Sequence, residues 1–175
     1  KHIQKARKDR NAKLIVVDPY KTRSAKVADF HYAIKPGTDG ALACSIMHIL
    51  FRDNYADKEY MDKYTDDPKG LEEHVKKYTP EWGSKITGLP LREIEEFAKI
   101  FGTTKRLYSR MGYGFTRQRN GASAMHAAVS LSAVCGKWQY EGGGAFYNNG
   151  DIYNIDKTLI EGLDLIDQNI RILDQ

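Results

Sequence analysis

The sequence predicts an α/β fold, a Rossmann-like doubly wound parallel sheet with an added small helical segment. Short apolar runs alternate with segments whose apolar residues recur at helical spacing, which is the pattern of strand–helix–strand units. Polar and glycine-rich loops follow the predicted strands, at the sheet edge where such folds bind ligands. The chain has 175 residues, of which 41% are hydrophobic, enough for the core of one domain.

The first predicted strand is the apolar run at residues 14–17, which stops at Asp18-Pro19. A continuous run of this kind is typical of a buried parallel strand. Residues 30–34 predict a second strand, because the turn signal Pro36-Gly37 closes it. A helix is expected from Asp39. Its apolar face consists of Leu42, Ile46, Ile49 and Leu50.

The rest of the chain continues this alternation. Residues 54–88 are polar with a thin apolar stripe and predict two or three short helices. Pro90 is suited to the start of the next helix, and Gly102 is expected to cap its end. An extended segment at residues 105–111 then precedes an alanine-rich helix from about Gly121 to Cys135.

These elements divide the chain into two parts. Residues 1–150 are expected to form the Rossmann-like lobe, with the helical segment at about residues 54–88. Residues 151–175 are expected to form a tail toward a neighbouring domain, with apolar residues at helical spacing.

Composition excludes several classes of function. No apolar run approaches the roughly 18 residues that span a bilayer, so no direct membrane insertion is expected. Cys44 and Cys135 have no metal-ligand spacing and are expected to be small buried residues, and the five histidines are scattered. We therefore predict no metal site in this sequence.

The first thirteen residues are rich in lysine and arginine but contain no aromatic residue. A solvated helix face explains them better than a nucleic-acid surface, and no nucleic-acid partner is expected. Binding through this basic arm stays open as an alternative, with a steep dependence on salt as its signature.

Three loops carry the candidate binding residues. Asp18 follows the first strand, where a carboxylate can accept hydrogen bonds from ribose hydroxyls, or simply cap the next turn. Gly37, Thr38 and Asp39 open a helix, where Asp39 suits the N–H edge of guanine; an N-terminal cap without a ligand is the alternative. Residues 112–121 combine glycines with long donors, suited to an anionic heteroaromatic ligand. No G-x-G-x-x-G fingerprint is present.

Taken together, these motifs resemble the molybdopterin oxidoreductases of the dimethyl-sulfoxide-reductase type. The resemblance rests on residues 15–25, 28–29 and 34–42, and continues in order through residues 86–98, 112–121, 131–136 and 142–144. It covers nearly all of residues 11–150. One departure is Tyr20, which stands where the family usually has an arginine after Asp-Pro, so Lys21 or Arg23 would supply the charge there.

The resemblance implies an internal part of a catalytic subunit whose lobe binds the guanosine and pterin parts of molybdopterin guanine dinucleotide. Family members use molybdenum or tungsten, chelated by two such pterins, to transfer two electrons or an oxygen atom to or from a small substrate. The implied cofactor-binding residues are Asp18, Arg23, Gly37, Thr38, Asp39, Gly112, Gly114, Arg117 and Gln118.

The resemblance also implies what lies elsewhere in the parent enzyme. The metal ligand and the cysteines of a 4Fe-4S cluster normally lie upstream, so residues 1–175 alone are expected to be inactive and no catalytic residue is assigned. The implied partners are the remaining domains of the same subunit and, as a further candidate, an iron–sulfur electron-transfer subunit. Some relatives work in the cytoplasm and others are exported, so no compartment is assigned. A free-standing nucleotide-binding module without redox activity is the alternative.

Overall fold

The structure is a computed structural model that describes residues 2–148, 155–162, 164–167, 169 and 171. It contains both helices and short parallel strands, so the predicted mixed α/β class is confirmed. Within the described part of the chain, no helix is long and apolar enough to cross a membrane. The helices are α1 (His2–Arg10), α2 (Arg23–Lys26), α3 (Asp39–Arg52), α4 (Lys58–Tyr64), α5 (Pro68–Val75), α6 (Pro80–Thr87), α7 (Leu91–Thr103), α8 (Gly121–Val134) and α9 (Thr158–Glu161).

The described strands form two separate parallel pairs. Strand β1 (Ile15–Val17) pairs with β2 (Phe30–Tyr32), with Ile15 opposite Phe30. Strand β3 (Tyr108–Arg110) pairs with β4 (Gly144–Phe146), with Tyr108 opposite Gly144. The parallel direction agrees with the prediction, and strand β4 lies in a glycine-rich segment that the sequence pattern indicated only as a loop.

Helices α3 and α8 form the centre of the core. They pack side by side and run in the same direction. Gly40 lies against Ala124 near the two starts, and at the other end the carbonyl of Val134, the last residue of α8, accepts the N–H of Asp57, which follows α3. The predicted apolar face of α3 is confirmed. Leu42, Ile46, Ile49 and Leu50 are all buried in the main hydrophobic cluster.

The predicted helical segment consists of α4, α5 and α6, and each of these helices begins with a side-chain cap. The cap residues Asp57, Asp67 and Thr79 accept backbone N–H groups of the following turn. Helix α6 ends at Gly88, whose φ of 80° fits the left-handed conformation that glycine adopts at helix ends. Three short helices therefore form where the sequence predicted two or three.

The prediction that Gly102 caps α7 is wrong. The helix continues through Gly102 to Thr103, and a Cβ atom on Gly102 would lie 2.5 Å from the ring of Tyr55. Glycine is needed there for close packing. The carbonyls at the end of α7 are instead bound by the buried amine of Lys137, whose Nζ lies 2.8 Å from the oxygen of Thr104.

Helix α1 has no buried residue, which confirms the prediction of a solvated basic helix. Both cysteines are free; Cys135 is buried and Cys44 is half-buried. Burial raises the pKa of the Cys135 thiol to about 11. It also raises the pKa of the Cys44 thiol above its ordinary value. Cys135 is therefore a small buried residue, as predicted, whereas Cys44 is only partly buried.

In the predicted tail, the structure describes α9 and a few residues after it. The expectation of a longer tail helix is wrong for the described residues, because α9 ends before Gly162 and residues 164–166 form a turn and a bend. Leu163, Ile170 and Leu173 lie outside the described residues.

Candidate functional site

Asp18 lies directly after β1, at the carboxyl end of the first strand pair. Its backbone N–H bonds the carbonyl of Tyr32 at the end of β2, 3.2 Å away. Its carboxylate Oδ1 accepts the N–H of Tyr20 at 2.8 Å, so Asp18 does cap the turn that follows it. The ring Nε2 of His31 lies 2.9 Å from the Asp18 carbonyl and holds the same turn to β2. Because the cap uses Oδ1 alone, Oδ2 remains available for a ligand.

The second loop connects β2 to α3 through a tight turn at Gly37, whose φ is +82°. Thr38 closes this turn, since its backbone N–H and its hydroxyl both donate to the carbonyl of Lys35. The hydroxyl is therefore not used as a cap for α3. As a result, the first N–H groups of α3 have no side-chain acceptor at its N-terminal cap.

Gln118 joins the second loop to the third. Its side-chain oxygen Oε1 lies 2.6 Å from the position of a Cβ atom on Gly37, so it sits directly over the Gly37 backbone. The other end of the same amide, Nε2, is buried and has no hydrogen-bond partner among the residues that the structure describes. A buried donor without a partner is costly and calls for an explanation, such as a ligand at this position.

The starts of α3 and α8 converge beside this amide. A Cβ atom on Gly40 would lie 3.3 Å from the Cα of Ala124, so the first turns of the two helices touch. The side chain of Asn120 does not cap α8, just as the side chain of Thr38 does not cap α3. The dipoles of both helices therefore point toward one region. The start of α3 already carries the Asp39 carboxylate, so a further negatively charged group is favoured at the start of α8.

The third loop runs from β3 to α8 and contains Gly112 and Gly114. A Cβ atom on either glycine would meet nothing within 4 Å, and neither has a positive φ. The described fold therefore does not require glycine at these two positions. Gly121 differs, because a Cβ atom there would lie 2.4 Å from the carbonyl oxygen of Phe115. Arg117 is exposed at the end of the turn that follows Gly112.

A cleft of about 520 Å³ opens between the two strand pairs, and we call it the inter-sheet cleft. Residues 11–15 and Val17 line one wall, and residues 104 and 106–112 line the other. Asp39 and Gly112 lie at the end where the strands finish. The floor is apolar and comes from α3, α7 and α8, with Leu42, Ala43, Ile46, Phe97, Ile100, Phe101, Ala128 and Leu131.

The structure thus brings together some of the residues that the sequence analysis gave as candidate cofactor-binding residues. Gly37 and Gln118 are in contact, Thr38 and Asp39 adjoin them, and Asp39 and Gly112 line one cleft. Asp18 is near the same edge, next to Val17 of that cleft, while Arg23 is an exposed residue of α2. Sequence reasoning missed the pair Gly40 and Ala124, which allows the starts of α3 and α8 to touch. The only signal for this contact in the sequence is that both positions hold small residues.

Comparisons with known proteins agree on one family. The family described as "Molybdopterin oxidoreductase" matches residues 1–170. The chain is 40% identical over 163 residues to the probable oxidoreductase YoaE of Bacillus subtilis, covering 93% of this chain and 24% of that protein. It is 38% identical over 137 residues to the F420-dependent formate dehydrogenase subunit alpha of Methanocaldococcus jannaschii, covering 78% of this chain and 20% of the relative.

A solved structure supports the same assignment. The acetylene hydratase of Pelobacter acetylenicus superimposes with a TM-score of 0.72 and 31% sequence identity, covering 76% of this chain and 18% of the hydratase chain. The chain therefore spans about a fifth to a quarter of the length of these relatives. With a family match over nearly the whole sequence, the chain belongs to the molybdopterin oxidoreductase family.

Proposed function

We propose that residues 1–150 form a lobe that binds the guanosine and pterin parts of molybdopterin guanine dinucleotide within a larger molybdenum or tungsten oxidoreductase. The observation that carries this proposal is the Gln118 side chain, whose buried Nε2 lacks a partner among the described residues. It is held over the backbone of Gly37, where the second and third loops meet. A polar ligand between these loops would give that donor an acceptor.

The residues present fit the charge of such a cofactor. Its diphosphate is anionic, and the start of α8, which has neither a side-chain cap nor an acidic residue in its first turn, offers N–H groups and a positive dipole end. Arg117, exposed in the third loop, adds a charged donor near the same region. Arg23, in the first turn of α2, is a second candidate for a charged donor to the cofactor, on the side of the site where Asp18 lies.

The carboxylates fit the guanosine end. Asp39 at the start of α3 can accept two N–H groups of the guanine edge, which an adenine edge does not offer in the same arrangement. Asp18 has Oδ2 free for a ribose hydroxyl. The Thr38 hydroxyl already donates to Lys35, so it would serve the ligand as an acceptor.

Gly112 and Gly114 fit the pterin end. Neither glycine is required by the described fold, and both stand in open space. Backbone without side chains lets a flat ring approach closely. The pterins would supply the dithiolenes that chelate the metal, while the residues of this chain bind and orient the cofactor.

The parent enzyme would then carry out two-electron or oxygen-atom-transfer chemistry on a small substrate. A 4Fe-4S cluster elsewhere in the polypeptide, the remaining domains of the same subunit and an iron–sulfur electron-transfer subunit belong to this proposal. The cited relatives are about four to five times as long as the matched segments, because those segments cover about 20% to 24% of them. This leaves room for such domains.

Nucleotide titration of the chain by NMR tests the guanosine assignment. We expect GDP to shift the amide signals near Asp18, Asp39 and Gln118 at about tenfold lower concentration than ADP, since hydrogen bonds to a carboxylate contribute roughly 1.5 to 3 kcal/mol. The Asp39→Asn variant should lose this preference while it retains weak binding of both nucleotides through phosphate.

The control variant is Asp66→Asn, which removes an exposed carboxylate of the helical segment. It should keep the preference for GDP. Equal responses to GDP and ADP in the unmodified chain would sink the guanosine assignment, and an unchanged preference in Asp39→Asn would sink the role of Asp39.

A further inference from the structure

Tyr147 follows β4 directly and contacts the third loop through both its ring and its hydroxyl. The ring packs against the ring of Tyr113, with centroids 5.2 Å apart and planes inclined by 64°, an edge-to-face geometry that aromatic pairs favour. The hydroxyl lies 3.3 Å from Oγ1 of Thr116. Tyr147 therefore contacts both ends of the short 3₁₀ helix Tyr113–Thr116, which lies just after Gly112.

The hydroxyl groups of Tyr147 and Thr116 form a directed chain of hydrogen bonds. The Thr116 hydroxyl has one proton and donates it to the carbonyl of Tyr113, 3.1 Å away. Because that proton is used, Oγ1 of Thr116 accepts from Tyr147, and the Tyr147 hydroxyl is the donor. Each bond in such a chain polarises and strengthens the next. The chain thus runs from Tyr147 through Thr116 to the carbonyl of Tyr113.

This chain fixes the orientation of the peptide unit between Tyr113 and Gly114. The peptide is trans, so its C=O and N–H groups point in opposite directions. Since the Tyr113 carbonyl is turned toward Thr116, the N–H of Gly114 is turned away from it. A Cβ atom on Gly114 would meet nothing within 4 Å. The Gly114 N–H is therefore a backbone donor of fixed direction, at a glycine that stands in open space.

Arg110 holds the backbone of Tyr147 in place. One of its guanidinium nitrogens donates to the carbonyls of both Met111 and Tyr147, the residues that directly follow β3 and β4. Beside these bonds, the N–H of Met111 donates to the carbonyl of Phe146 at 2.8 Å. Hydrogen bonds from a charged donor are stronger than neutral ones. The position of Tyr147 relative to the start of the third loop is therefore fixed from the side of β3.

The apolar support of the third loop is small. Phe115 and Tyr147 pack against a hydrophobic cluster whose buried residues are Met111, Ala128 and Ala145. The main cluster, around α3, contains far more buried side chains. Segments with few buried apolar contacts open most easily. The polar and aromatic contacts of Tyr147 therefore contribute a large share of what holds this loop.

From these contacts we propose that Tyr147 is a positioning residue for the cofactor. Its hydroxyl, acting through Thr116, holds the Tyr113–Gly114 peptide so that the Gly114 N–H donates to an acceptor atom of the pterin part. In this assignment Tyr147 acts through the loop and does not itself bind the cofactor. The inference rests on the proposed function, because it describes how the third loop is held for that ligand.

Tyr147→Phe tests the hydroxyl, because it keeps the ring and the backbone carbonyl. In the 175-residue chain without cofactor, NMR relaxation should show the order parameter of the Gly114 N–H falling from about 0.85 toward about 0.6, the change from a rigid to a flexible backbone. In the full-length parent polypeptide, the cofactor should dissociate about three- to tenfold faster, as for one lost hydrogen bond. Its release is measured by the fluorescence of the oxidised pterin.

Thr116→Val tests whether Tyr147 acts through Thr116. It removes the middle link of the chain and keeps the shape of the side chain, so it should reproduce both effects of Tyr147→Phe. The double variant should be no worse than either single variant, since both changes break one chain. Additive effects would overturn the proposed route through Thr116.

The matched control is Tyr64→Phe, in the helical segment. The ring of Tyr64 also packs against another tyrosine, Tyr60, with centroids 4.8 Å apart, and 61% of Tyr64 is exposed. This variant should change neither the order parameter of Gly114 nor the rate of pterin release.

Two results would overturn the inference alone. One is an unchanged order parameter of Gly114 in Tyr147→Phe, which would show that the hydroxyl does not hold the loop. The other is a loosened loop with an unchanged rate of pterin release, which would show that the loop is not held for the cofactor. Either result leaves the proposed function intact when the unmodified full-length protein carries pterin. An unmodified full-length protein without pterin would overturn the proposed function and this inference together.

Discussion

The side-chain oxygen Oε1 of Gln118 lies 2.6 Å from the point where a Cβ atom on Gly37 would sit. The two residues belong to different loops, and Gly37 has a φ of +82° that other residues rarely adopt. Steric and conformational requirements thus coincide at Gly37. The contact fixes the distance between the loops that open α3 and α8, and so the geometry of the candidate site.

We expect Gly37→Ala to lower the free energy of unfolding by about 1 to 3 kcal/mol, because alanine is strained at a positive φ and its methyl group would displace Gln118. Urea denaturation of the chain measures this change. The matched control is Gly112→Ala, where φ is −96° and a Cβ atom meets nothing within 4 Å. It should change stability by less than about 0.5 kcal/mol. Equal losses in the two variants would contradict the assigned role of Gly37.

Gln118→Met should leave the chain as stable as before or stabilise it by about 1 to 3 kcal/mol, because it removes a buried donor that has no partner in the described structure. In the full-length protein the same variant should retain less cofactor, measured as guanine released by acid hydrolysis. Gln139→Met is the control. Its Nε2 donates to Asp57 at 2.7 Å, and losing that bond should cost about 0.5 to 1.5 kcal/mol. If Gln118→Met is the more destabilising of the two, the unpartnered amide is not a cost to the fold.

We predict that the attachment of α1 to the rest of the chain is sensitive to acid, because it depends on the carboxylate of Asp29. Its carboxylate accepts the N–H of Leu14 at 2.8 Å and pairs with Arg7 at 3.2 Å. The Leu14 hydrogen bond, followed by the charges of Arg7 and Lys13, holds the pKa of Asp29 below its usual 3.8. A lowered pKa in the folded state means that the carboxylate stabilises the fold above pH 3.8, and that this contribution is lost as pH falls through the lowered value.

The measurement is the free energy of unfolding of the unmodified chain and of Asp29→Asn between pH 7 and pH 2. The unmodified chain should be the more stable at neutral pH, and the difference should shrink once the pH falls below about 4. Asp66→Asn, which removes an exposed carboxylate, is the control for the change in net charge. A difference that stays constant with pH would mean that Asp29 does not act through its charge.

Local patterns predicted most of the fold, and contacts distant in sequence account for what they missed. The run at residues 14–17 and the apolar face of α3 were sufficient for β1 and α3, since both depend on neighbouring residues alone. Strand β4 was missed because glycine has a low strand propensity, and its pairing with β3 is formed by residues 36 positions apart. The site was predictable as three loops, but the Gly37–Gln118 contact that joins two of them depends on the packing of α3 against α8.

The end of α7 shows the same limitation and provides a final prediction. Gly102 resembles a helix cap in the sequence, yet the amine of Lys137 binds the carbonyls of Gly102 and Thr104, at 3.4 and 2.8 Å. Only 2% of Lys137 is exposed, and burial lowers the pKa of its amine below the ordinary value. Lys137→Met keeps the apolar stem but leaves these carbonyls without a donor.

We expect this variant to lose about 1 to 3 kcal/mol of unfolding free energy, the cost of buried carbonyls that lack a partner. The loss should be accompanied by faster amide exchange in the last turn of α7, because that turn would fray. Lys85→Met, at an exposed lysine of α6, should be neutral to within about 0.5 kcal/mol. Unchanged exchange at Thr103 and Thr104 would show that α7 ends stably without the amine, and that Lys137 fills space there without acting as a cap.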